Sequence, residues 1–325
     1  MVYQDAVDFY NGISDIQKAQ LVNKLNLAAE TPGNVYHVNS WNGSSSGVDG
    51  KTWTQPFKYV EQSFDVLASN DTIFVTGKVA EQLTAPLGVF DVSIIGVSPG
   101  NPRQSTNNGA QAGYSAYWTY ETDDTVALLT LREQGWRLQN ICFQAPASTD
   151  TTAAAVLMVR AESATYPDPS HAIIQDCYFA GGGNAIIDSG GVGFVRLLNN
   201  TFYAQTGFSH QNISGAGIAA PLMWRIEGNR FLGMANGVRA AFSHAVITGN
   251  YFTDGGTPTS TVVLNTAASG GGGNNFVVNN YFQTATANFN TPDIVGNATD
   301  FWRNYSIDGA DLSAGSIGLE LGQPA

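Results

Sequence analysis

Five carboxylates fall between residues 168 and 254: Asp168, Asp176, Asp188, Glu227 and Asp254. Two carboxyls held about 5–9 Å apart can hydrolyse a glycosidic bond, and several carboxylate and carbonyl oxygens together can hold Ca²⁺. Arg137, Arg196 and Arg225 could grip an anionic ligand, His171 and His244 could share a metal, and Cys142 and Cys177 could pair. Tyr114, Tyr117, Trp118 and Tyr120 form a candidate binding surface, because amphipathic rings suit sugar stacking and protein interfaces. Which of these groups meet depends on the elements that carry them.

Most are carried by a phrase ending in Asn-x-Phe or a close variant, which recurs as WRLQNICF, AIIQDCYF, VRLLNNTF, WRIEGNRF, AVITGNYF and NFVVNNYF. Aligned on Phe143, Phe179, Phe202, Phe231, Phe252 and Phe282, the copies lie 36, 23, 29, 21 and 30 residues apart. A constant core at irregular intervals implies one structural unit repeated with loops of varying length. Five residues before each Phe stand Leu138, Ile174, Leu197, Ile226, Ile247 and Val277, branched aliphatics suited to an inward strand position. Three before it come Asn140, Asp176, Asn199, Gly228, Gly249 and Asn279, types that tolerate a left-handed backbone, so that column is a bend. Two before it, Asn200, Asn229, Asn250 and Asn280 offer side-chain amides that can hydrogen-bond from rung to rung at about the 4.8 Å strand spacing.

A strand, a bend with an Asn ladder, and a stacked Phe resemble the coil of a right-handed parallel β-helix of the pectate-lyase-like superfamily. AIID from Ala185, GIAA from Gly217, GVRA from Gly237 and VVLN from Val262 read as further strands of successive coils. An antiparallel β-sandwich would not return the same side chains to the same columns at every rung. The expected fold is therefore all-β, a single-stranded solenoid with an N-terminal helical arm and a capping helix. Residues 1–30 are the arm, 31–310 the β-helix with its cap, and 311–325 a tail that covers the last rung or lies along a neighbouring subunit. Ser14-Asp15-Ile16-Gln17 fits a capping box ahead of an apolar stripe in the arm, which would cover the first rung or dock on another subunit.

The stretch from Val35 to Val79 resembles a common opening of such proteins: strand Tyr36–Val38, a polar loop, the turn Trp53–Phe57, a helix Lys58–Ala68 and a first rung Thr72–Val75. Asp49 is the loop's only carboxylate, which argues against a calcium site there. Phe301 to Tyr305 reads as a further rung near the C-terminal end.

The columns test the chemistry. Asp176 occupies the bend, Glu227 faces outward, Asp188 ends a different strand and Asp254 lies beyond a turn, so no two share a column on adjacent rungs. His171 and His244 share a column three rungs, about 14 Å, apart, too far for one metal. Arg225 can pair with Glu227 two residues on, and Cys142 and Cys177 face opposite sides of their strands. Many β-helix proteins of this superfamily cleave polysaccharides, but their catalytic residues have no counterparts here. No catalytic, cofactor or metal residue is expected.

The net charge of −12 excludes nucleic acid and anionic membrane surfaces as natural partners. No basic, apolar leader and no run of 18 apolar residues occurs, so neither signal peptide nor transmembrane span is expected. Few Lys and Arg, abundant Ala, Gly, Asn and Thr, the arm and the tail resemble β-helical virion proteins of bacteriophages. That resemblance implies a non-enzymatic head decoration or spike-like projection, made in the host cytoplasm. It would be a homotrimer in contact with virion proteins such as the capsid shell. The alternative is a tailspike-like receptor-binding protein or depolymerase acting on surface polysaccharide.

Overall fold

The computed structural model describes residues 33–97, 116–119, 124–146, 153–160, 169–181, 183–203, 206–210, 221–232, 236–239, 242–253, 262–263, 275–283, 294–295, 298–302, 304–306 and 319–321. Each column of the repeat becomes a line of side chains parallel to one axis. Ile73, Ile94, Leu138, Ile174, Leu197, Ile226, Ile247 and Val277 pair in register on successive parallel strands and are all fully buried. The chain is thus a right-handed parallel β-helix with three sheets and one continuous apolar core.

The first sheet runs from Val35–Asn39 through Arg137–Gln139 and Arg225–Glu227 to Ala298–Trp302. The second holds the Phe column and ends at Asn304–Ser306, to which Leu319–Leu321 adds an antiparallel strand. Among the described residues the third has eight parallel strands, from Leu83–Thr84 to Ile294–Val295. Strand Thr72–Ala80 serves both the first and second sheets and turns between them at Gly77, where φ is 95° and a Cβ would strike the Ser40 hydroxyl.

The bend after the first sheet is left-handed in all six copies, with φ of 57° at Asn140, 53° at Asp176, 54° at Asn199, 68° at Gly228, 65° at Gly249 and 57° at Asn279. The residue that follows it is buried, and Asn200, Asn229, Asn250 and Asn280 are fully enclosed. Each of these amides donates to a carbonyl of the preceding coil: Ile174, Leu197, Ile226 and Ile247 respectively, at 2.8–2.9 Å. In the next column, Phe143, Phe179, Phe202, Phe231 and Phe252 stack with centroids 4.6–5.2 Å apart and ring planes within 12°. Phe282 continues the register opposite Phe252.

At the N-terminal end the free edge of Val35–Asn39 is occupied: His37 N–H donates to Gly50 O at 2.6 Å and Asn39 N–H to Phe57 O at 2.8 Å. The capping helix is Val60–Phe64, shorter than the expected Lys58–Ala68, and turns Val60 and Ser63 inward. The expected arm over residues 1–30 lies outside the described residues. So does GIAA at 217–220; the third-sheet strand of that coil is Thr206–His210, which pairs with Asn184–Ser189 and Asn236–Arg239.

Candidate functional site

The ring cluster expected as a binding surface does not form one at Trp118. Ala116–Thr119 is a strand of the second sheet, with Trp118 in register between Val79 and Phe143. Trp118 is fully buried, stacks on Phe143 at 5.8 Å and donates its indole N–H to Glu81 O at 2.8 Å, so it extends the Phe ladder as a core residue. The sequence concealed this because Trp replaces Phe and the preceding Asn is missing. Tyr117 points the other way, half-buried, with its hydroxyl 3.5 Å from Gln144 Oε1. Tyr114 and Tyr120 lie outside the described residues.

Among the described residues, three of the coil carboxylates have structural roles. Asp176 sits at the bend and accepts from Gln175 Nε2 at 3.1 Å. Asp188 is fully buried and accepts the Val192 N–H with both oxygens at 3.2 and 3.3 Å, closing the turn after its strand. Glu227 pairs with Arg225 at 3.1 Å on the outer face of the first sheet, as the sequence indicates. Asp168 and Asp254 lie outside the described residues. Glu133, also buried, gives one oxygen to the Gly88 N–H at 2.8 Å and leaves the other without a hydrogen-bond partner. Among the described residues no group of three or more His, Cys, Asp or Glu is arranged to hold a metal.

Cys142 and Cys177 are free thiols on opposite faces of the sheet. Burial pushes each up to about 12, which removes thiolate, the nucleophilic form, at neutral pH.

On the outer wall the sequence placed only His171 and His244 in one column. Eight residues before the Phe runs a second left-handed column, continued from the coils below: Asn70, Asp91, Gly135, His171, Phe194, Met223 and His244, with φ of 70°, 55°, 74°, 63°, 59°, 54° and 58°. A backbone ladder holds it. The N–H of each of the first six donates to the carbonyl that precedes the column residue of the next coil, at 2.7–3.1 Å from Asn70 to Phe90 through Met223 to Ser243. The residue after each bend from Gly135 onward, namely Trp136, Ala172, Val195, Trp224 and Ala245, points into the core, so the bend turns its own side chain outward. Phe194 and Met223 are 42% and 45% exposed, and the His171 and Phe194 rings lie parallel with centroids 4.9 Å apart. Counting registers back from the Phe would have located the column; its mixture of residue types hid it.

No protein-family profile matches this chain, and no curated protein matches its sequence. Among solved structures it is similar to pectate lyase Pel9A, at 12% identity and a TM-score of 0.46, over 84% of this chain and 74% of that one. It is also similar to a pectin methylesterase from Aspergillus niger, at 14% identity and a TM-score of 0.44, over 78% and 87%. A third is a GH136 lacto-N-biosidase from Eubacterium ramulus, at 11% identity and a TM-score of 0.38, over 90% and 69%. The fold assignment rests on the strand pairing of the chain itself.

Proposed function

We propose that the protein is a non-enzymatic structural component of a bacteriophage particle, a head decoration or spike-like projection assembled as a homotrimer and attached to other virion proteins. The observation that carries this reading is the use made of the coil carboxylates. Asp176 serves a bend, Asp188 a buried turn and Glu227 a surface ion pair, so each of these three carboxylates is engaged in building the wall. A solenoid whose coils are tied by a backbone ladder, reinforced in the middle coils by rings and from Asn200 to Asn280 by amides, suits a rigid projecting part. The composition and terminal segments described above supply the link to phage particles.

Imaging a purified particle at a resolution that traces the chain tests the reading. Copies distributed over the shell, or standing on it as projections, support it; absence from the particle overturns it. The second reading, a tailspike-like protein that binds or cleaves surface glycans, is favoured by one observation: Tyr203 and Tyr281 project from the second sheet, 47% and 43% exposed. A few copies at the tail tip, with glycan binding lost in Tyr203→Ala, would establish that alternative.

A further inference from the structure

The second left-handed column uses one backbone conformation with two kinds of side chain. In its first three coils it carries Asn70, Asp91 and Gly135, the types that adopt positive φ at little cost. In the next four it carries His171, Phe194, Met223 and His244 at φ of 63°, 59°, 54° and 58°. Histidine enters this region more readily than most residues, but Phe194 and Met223 are strained there. The backbone ladder is the same in both halves, so the turn itself does not call for the larger residues. They are not core residues either: His171 and His244 are exposed, as are Phe194 and Met223, and neighbouring Leu222 is 36% exposed. Strain retained at exposed apolar positions on consecutive coils points to a use for the side chains themselves.

We propose that this edge is the contact surface for a second copy of the chain. It bears one side chain per coil, so it forms a straight stripe parallel to the solenoid axis, about 14 Å from His171 to His244. A second solenoid lying alongside meets such a stripe along its length. Two residues further on, the outer face of the first sheet borders the stripe with Ile173, Arg196, Arg225, Val246 and Phe276, which pair in register. Phe276, 44% exposed, extends the apolar surface by one coil. Arg225 is taken up by Glu227, so Arg196 carries the border's remaining positive charge on a chain whose net charge is −12, and a carboxylate of another copy complements it. A heterologous contact of this kind, stripe and Arg196 against a different side of the neighbour, closes into a ring about an axis parallel to the solenoid. The inference rests on the trimeric assembly proposed above, for which it supplies the surface.

The test is sedimentation equilibrium of the full chain over a wide concentration range, for wild type, the double variant Phe194→Asn/Met223→Asn, and Tyr203→Asn on the second sheet. Asparagine is the residue the same column carries at Asn70, so the double variant relieves left-handed strain while it gives up the His171–Phe194 ring contact, and a cooperative thermal melt establishes that it is folded. The expected result is an oligomer for wild type and Tyr203→Asn, and association weakened at least about 100-fold in the folded double variant, the range of interface hot spots. A wild-type oligomer that persists unchanged in the folded double variant overturns the surface and leaves the assembly reading standing. A wild-type monomer at all concentrations overturns both surface and self-assembly. If that monomer joins particles while the double variant does not, a different virion protein occupies the stripe.

Discussion

Asn229 Oδ1 accepts two hydrogen bonds from Asn200 of the preceding coil, one from its backbone N–H at 2.8 Å and one from its side-chain amide at 3.0 Å. Asn229 in turn gives its own amide to Leu197 O at 2.9 Å and to Asn250 Oδ1 at 3.0 Å. Four bonds in a fully buried site pass through one side chain, so the ladder binds three coils together there.

Asn229→Leu should therefore destabilise the protein by on the order of 3 kcal/mol or more, since each buried group left unpaired costs about 1–3 kcal/mol. Denaturant unfolding followed by circular dichroism reads this. Wild-type stability in the variant would contradict the burial of the column.

Trp118→Ala should cost about 3–5 kcal/mol, as for other large buried aromatics, whereas Tyr117→Ala on the opposite face should cost far less. Parallel urea titrations compare the two. Equal, small losses would return Trp118 to the surface.

Met223→Asn should raise stability by about 1 kcal/mol, because Asn relieves the left-handed strain while an exposed side chain gives up little packing. The unfolding midpoint of the isolated chain decides it. A marked loss would show that the methionine packs within its own coil.

Neither cysteine should react with a thiol reagent in the native protein at pH 8, and both should label on unfolding. Their folded values of about 12 lie above the ordinary 9.0, so the stability they contribute is complete below about pH 9 and is lost as pH rises through 12. Mass spectrometry after timed labelling counts the modified thiols. Rapid native labelling would place a thiol at the surface.

Glu81 accepts the Val60 and Glu61 N–H groups at 3.0 and 2.8 Å, capping the helix that covers the first coils. Burial raises its carboxyl, the two backbone bonds oppose the rise, and the charge of Glu61 adds to it. A raised folded value means that this group's contribution is complete below its unfolded value near pH 4.5 and is lost as pH rises through the folded one. Wild type should thus gain on Glu81→Gln as pH falls from 7 to 4, in paired thermal melts. An advantage that grows instead toward pH 7 would reverse the sign.

What the sequence determined by itself is the set of columns that repeat in residue type. Aliphatic, bend, amide and Phe positions are legible because each lies in one environment at every coil, and that environment admits few residue types. The phrases ending at Phe143 through Phe282 could be placed inside and out on that ground alone, and so could the Arg225–Glu227 pair two residues apart on one face; the third-sheet strand Thr206–His210 could not. Tertiary structure decided the positions where one backbone requirement is met by dissimilar side chains. Trp118 joins the Phe ladder only through pairing with a strand 25 residues later. The column from Asn70 to His244 is held by N–H to carbonyl bonds between coils, and backbone bonds leave no trace in residue type. Such a column is free to carry whatever its outer face requires, and only the folded backbone shows that Phe194 and Met223 are held left-handed in it.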